Sequence, residues 1–104
     1  MRVAMIRHSV IFSLKHPKRS PEEAAFLADA MVLAEIPGVI RFERLVQTSP
    51  KNDFAYGFAM EFEDQAAYEG YNSHPDHVAF VRDRWNLEVA KFLEIDFVPL
   101  GSSP

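Results

Sequence analysis

The stretch Phe54-Ala55-Tyr56-Gly57-Phe58-Ala59-Met60-Glu61-Phe62-Glu63 decides the architecture. Every second residue from Phe54 to Phe62 is large and apolar, while Ala55, Gly57, Ala59 and Glu61 between them are small or acidic. Period two sends successive side chains to opposite faces, so residues 54–63 are predicted to be a strand with one aromatic face. That face reads as core beneath helices rather than as a platform for a cofactor. The small residues on the other face allow a second surface, a sheet or a ligand, to approach closely.

Working toward the N-terminus, Thr48-Ser49-Pro50-Lys51-Asn52-Asp53 is a polar hairpin loop. Residues 39–48 before it form a second strand, with Ile40, Phe42, Arg44 and Val46 expected on one face and Val39, Arg41, Glu43, Leu45 and Gln47 on the other. Further back, Ser20-Pro21-Glu22-Glu23 is a helix start. Ser20 caps, Pro21 takes the first helical position, and Glu23 completes a capping box. The expected apolar stripe is Ala24, Leu27, Met31 and Ala34, widened by Phe26, Ala30 and Leu33. Ile36-Pro37-Gly38 ends the helix. The first strand, 7–15, turns His8, Val10, Phe12 and Leu14 one way and is broken by His16-Pro17-Lys18-Arg19.

Toward the C-terminus, a short helix runs from Asp64 to about residue 71. After Asn72-Ser73-His74, Pro75 opens a longer one to about residue 90, with Val78, Val81, Trp85 and Val89 as its expected stripe. Residues 92–99 form the last strand, with Leu93, Ile95 and Phe97 opposite Glu94 and Asp96. The order β-α-β-β-α-β is the ferredoxin-like, split βαβ plan, an α+β fold with a four-stranded antiparallel sheet and helices on one face. The uncovered face carries Ile11, Leu45, Ala55 and Ala59, which is too apolar for water. Pairing with a second copy through that face, to close a barrel between two sheets, predicts a homodimer. One domain over 1–100 and a tail at 101–104 are expected.

Composition narrows the function. The chain has 104 residues, nine Phe and no Cys, and a net charge of −4. A single packed core is affordable at that length. The acidic balance argues against nucleic acid, and the missing cysteines exclude disulfides and thiolate chemistry. No run reaches the ~20 apolar residues of a membrane span. The first fifteen residues do not read as a signal peptide, so a cytoplasmic protein is expected.

The chemistry concentrates in Tyr71-Asn72-Ser73-His74-Pro75-Asp76-His77, which holds two of the four histidines. His77 sits at the edge of a buried helical stripe. It reads either as a desolvated general base or as a helix-start residue that shapes the connection. Tyr71 reads either as a hydrogen-bond donor to an enolate oxygen or as a buried ring bonded to the backbone. His8 is a pocket wall or a satisfied strand histidine, and His74 a helix cap. Nothing here supplies three converging metal ligands, a phosphate loop or a nucleophile elbow, so neither metal nor cofactor is expected.

The chain resembles the stress-responsive dimeric α/β-barrel (Dabb) family. The resemblance rests on His8-Ser9-Val10-Ile11-Phe12, Ile36-Pro37-Gly38-Val39, Glu61-Phe62-Glu63, the Tyr71 to Val78 run and Asp96, in order across nearly the whole chain. It implies a ferredoxin-like homodimer with a pocket between helices and sheet in each subunit. Some plant members cyclise linear polyketides without cofactor. In those, the motif's last His is the base and its Tyr assists, which carries over to His77 and Tyr71. Their third-strand His corresponds to Tyr56 here. On this reading His8, Val10, Phe12, Tyr56 and Phe58 line a pocket for a small apolar molecule, and enolate or aldol-type chemistry is the favoured reaction. The alternatives are a non-catalytic stress-associated dimer and a ligand sensor.

Overall fold

The computed structural model describes residues 5–102. Residues 1–4 of the expected domain and 103–104 of the expected tail lie outside them. Four strands, β1 (Ile6–Leu14), β2 (Ile40–Val46), β3 (Tyr56–Phe62) and β4 (Val89–Phe97), form one sheet in the order β2-β3-β1-β4. Every neighbouring pair is antiparallel. Helices α1 (Pro21–Asp29), α2 (Gln65–Ser73) and α3 (Pro75–Phe80) cross one face. The ferredoxin-like α+β plan read from the sequence is the fold.

The core is aromatic because the in-register strands β1 and β3 present the same parity to the helices. Phe12 lies opposite Tyr56, Val10 opposite Phe58 and His8 opposite Met60. Phe12, Phe26 and Phe62 are fully buried. Phe12 meets Phe58 at 4.7 Å and Trp85 at 5.0 Å between ring centroids, and Phe26 edge-on at 5.9 Å. Each such ring contributes about 2–3 kcal/mol by burial, and well-placed aromatic pairs add to that.

Helix α1 starts as expected, Ser20 Oγ accepting from the Glu23 amide at 3.2 Å. The Glu23 carboxylate, however, turns back to the Arg19 amide at 2.9 Å, because the Ser20 amide is already bonded to the Pro17 carbonyl. Its buried face is Glu23, Phe26, Ala30 and Leu33, while Met31 is exposed and Ala24 faces out. The expected stripe is therefore rotated. Phe26 claims the core, and the helix tightens into a 3₁₀ segment over Ala30–Glu35. Gly38, at φ 93°, supplies the left-handed turn into β2.

Three further local expectations change. The register of β2 against β3 shifts between Ile40 and Glu43, where Arg41 adopts φ 51°. This bulge sends Ile40 to the side of Glu61, away from Phe42, Arg44 and Val46. Helix α3 runs on through a π-helical turn, Val81–Trp85, and a last turn, Asn86–Glu88. Ahead of that turn the buried residue of α3 is Phe80, while Val78, expected in the stripe, is exposed. Strand β4 accordingly begins at Val89, ahead of the expected residue 92.

The face away from the helices is apolar and open. Ile11 pairs with Gly57 and with Leu93, and Ser9 with Ile95. Leu45 is 45% exposed, Leu93 48%, Ile95 38% and Phe97 55%, which leaves a continuous hydrophobic surface on a sheet. The opposite parity of β4, Glu94 and Asp96, points to the helix side with Val10 and His8.

Candidate functional site

A cavity of about 250 Å³ opens between the helices and the β1–β4 half of the sheet. Its floor is His8, Val10, Phe58 and Met60. Its walls are Tyr71 and His77 on one side and Phe80, Val81 and Trp85 on the other, with Phe92 and Glu94 at the β4 side. The π-helical turn, Val81–Trp85, contributes both of its end residues to the cavity wall.

His74 and Pro75 set the position of His77. His74 Nδ1 accepts from the Asp76 amide at 3.1 Å and caps α3, and Pro75 occupies its first turn. His77 then folds back so that Nδ1 lies 3.1 Å from the Asn72 carbonyl oxygen. A carbonyl only accepts, so Nδ1 carries the proton and Nε2 keeps the lone pair. Burial lowers the His77 pKa below its ordinary 6.5, and neighbouring His8 lowers it further, against the raising effects of the Asn72 carbonyl and Glu94. The imidazole is therefore neutral at neutral pH.

Tyr71 stacks obliquely on His77, ring centroids 4.4 Å apart, and is 2% exposed. Burial, followed by the Glu94 carboxylate, pushes its hydroxyl well above the ordinary tyrosine range. It holds its proton at neutral pH. None of the hydrogen bonds among the described residues engages it, and no buried side-chain nitrogen or oxygen there lacks a partner, so the hydroxyl opens to the cavity.

His8 belongs to a second polar array that local sequence reading did not assemble. Its Nδ1 lies 2.6 Å from Asp96 Oδ1 and 3.0 Å from the Tyr68 hydroxyl, which donates to Asp96 Oδ2 at 2.9 Å. This three-way bond holds the buried ring by one nitrogen and leaves Nε2 for the cavity side. Tyr68 is raised far above its usual pKa, by burial first and then by Asp96. The readable signal was parity. Asp96 and Glu94 alternate with Leu93, Ile95 and Phe97, and those three apolar residues face outward rather than toward the helices.

The cavity thus brings together His8, Val10, Phe58, Tyr71 and His77. Phe12 and Tyr56 are not in its lining. Phe12 lies one strand repeat beyond Val10, sealed under Trp85 and Phe26. Tyr56, at the start of β3, lines a separate surface depression with Leu27, Phe42 and Arg44. Burial with help from Glu23 pushes its hydroxyl up to about 12. No cluster of three metal-ligating side chains occurs among the described residues. No helix there is long and apolar enough to cross a membrane.

A model of the stress-responsive A/B barrel domain, Dabb, matches residues 6–99. The chain belongs to this family. A Dabb-family protein with a ferredoxin-like fold from Mesorhizobium loti shares 65% of its sequence with this chain, covering 94% of this chain and 99% of that one at a TM-score of 0.93. A dimeric ferredoxin-like protein from Thermobifida fusca, 17% identical, covers 94% of this chain and 93% of its own at a TM-score of 0.75. The hydroxynitrile lyase of Passiflora edulis, 15% identical, covers 96% and 97% at 0.79. At these last two identities the likeness is one of fold. A search of curated proteins returned no match.

Proposed function

We propose that this Dabb domain is a homodimer in which each cavity binds a small apolar carbonyl compound, with His77 as general base and Tyr71 as hydrogen-bond donor. The observation that carries the reading is the pairing of a tautomer-fixed, neutral imidazole with a protonated tyrosine at one cavity wall. Nε2 of His77 takes a proton from the carbon beside the carbonyl, and the electron pair moves to the oxygen. The Tyr71 O–H stabilises the resulting enolate. The same enolate suits proton exchange or addition to a second carbonyl, and it needs no cofactor. A volume of about 250 Å³ is near the lower end of ligand pockets and admits a molecule of about ten non-hydrogen atoms. The Passiflora edulis lyase is an enzyme on this fold. It supports the capacity of the scaffold, while the choice of reaction here rests on His77 and Tyr71.

The homodimer reading rests on the open face, whose Leu45, Leu93, Ile95 and Phe97 need cover, and on the dimeric Thermobifida fusca protein of the same fold. Sedimentation at micromolar concentration returns a dimer, and Ile95→Arg returns a folded monomer. A monomeric wild type overturns the assembly. For the site, phenylacetone titrated into the labelled protein shifts the indole signal of Trp85, the single tryptophan. An unmoved Trp85 with saturating probe overturns the binding reading and leaves the family's non-catalytic alternative.

A further inference from the structure

Glu94 has no role in the base-and-donor chemistry, yet it stands on the cavity wall. Strand β4 places it opposite Val10 in register, on the helix side of the sheet, two residues from Asp96. Asp96 is tied to His8 and Tyr68, but Glu94 makes no ion pair or side-chain hydrogen bond among the described residues. No lysine or arginine lines the cavity, and Phe92 on its β4 side meets Trp85 of the helical wall edge-to-face at 5.5 Å. An unpaired carboxylate beside two aromatic rings, with no cation present, is the chemistry that recognises an ammonium group: the carboxylate supplies charge and the ring faces add cation–π attraction. The same arrangement repels a carboxylate ligand. Glu94 shares the cavity lining with Tyr71 and His77, the proposed reacting groups.

We infer that Glu94 is the specificity-determining residue of this cavity, selecting apolar ligands that bear a protonated amine and rejecting those that bear a carboxylate. The inference rests on the cavity being a ligand site and specifies the class of ligand it takes. Such a ligand places its apolar body over Val10, Phe58 and Met60 and its ammonium between Glu94 and the Trp85–Phe92 pair.

Three near-isosteric probes test it: phenethylamine, phenethyl alcohol and phenylacetate, each titrated against the full chain with the Trp85 indole signal as readout. The expected order is amine tighter than alcohol, and alcohol tighter than acid, with about tenfold or more between amine and acid at low ionic strength. Raising the salt to about 0.5 M narrows the gap, because the charge at the mouth is screened. Glu94→Gln, at an exposed position on β4, keeps the alcohol's affinity and collapses the amine–acid gap to about twofold or less. Equal binding of the three probes by the wild type, or an unchanged gap in Glu94→Gln, overturns the role of Glu94 and leaves the cavity as a site. Binding of none of the three removes the cavity as a ligand site and this inference with it.

Discussion

Beneath the same helices the sheet has a packed end and a hollow end, and strand β1 runs through both. Phe12 at the packed end is fully buried among Phe26, Phe58 and Trp85. Two and four residues back on the same face, Val10 and His8 floor the cavity. The parity is identical, so the difference comes from what packs above. Over Phe12 the neighbours are the rings of Phe26, Phe58 and Trp85, packed against one another. Near His8 the neighbours are the polar-tipped rings of Tyr68 and Tyr71, with His77 against Tyr71, and the cavity lies beside them. A sheet face uniform in pattern therefore splits into a region that holds the fold and a region that can hold a ligand.

Substitutions separate the two ends by size of effect. Phe12→Ala, at the packed end, costs about 3–5 kcal/mol of unfolding free energy in a urea titration. A cost below about 1 kcal/mol would mean that the packed end is no better filled than the hollow one. Asp96→Ala takes away the nearer partner of the buried His8 Nδ1 and the acceptor of the Tyr68 hydroxyl, and is expected to cost about 1–3 kcal/mol. The His8 ring signals should broaden at the same time, and sharp, unmoved signals would show that Asp96 does not hold the ring. His77→Ala, which empties part of an existing cavity wall, lowers the urea midpoint least of the three. Loss of folding in that variant would assign His77 to structure instead of chemistry.

The smallest effect is a pH dependence. Burial lowers the His77 pKa in the folded protein, so the unfolded chain takes up that proton first, near pH 6.5, and the folded protein only at lower pH. The contribution is full above 6.5 and is lost as the pH falls from there toward the lowered folded value. The wild type thus loses stability in that window, and His77→Ala shows a flatter profile there. Matching profiles would place the neutral imidazole reading in error.

The order of elements, the parity of β1 and β3, the three helix starts and the open sheet face were legible, because each follows from a period or a cap within a few residues. The departures are of a different kind. Nothing in Ile40-Arg41-Phe42 announces a bulge, since Arg41 takes positive φ where a glycine would have signalled it. The burial of Phe80 in place of Val78 goes with a ring contact to Phe26, 54 positions away in the chain, and the π-helical turn ends on Trp85, which meets Phe12. In the site, Tyr71 and His77 were visible as a short motif. The His8–Asp96–Tyr68 array was not, because it joins residues 88 and 60 positions apart through the β1–β4 register. Glu94 was visible as a residue, but its position on the cavity wall follows from that same register.

In the proposed reaction, Nε2 of His77 removes a proton beside a carbonyl held in the hollow end while Tyr71 holds the enolate oxygen. Hydrogen–deuterium exchange at the benzylic carbon of phenylacetone in D₂O, followed by proton NMR, reads that step directly. The C–H bond breaks to Nε2 of the imidazole, that N–H exchanges with D₂O, and the resulting N–D returns a deuteron to the carbon as the C–D bond. With the wild type, exchange runs about a hundredfold or more above buffer at the same pH. Tyr71→Phe loses part of that acceleration, and His77→Ala returns to the buffer rate. A wild type no faster than buffer, or a His77→Ala variant as fast as the wild type, would contradict it.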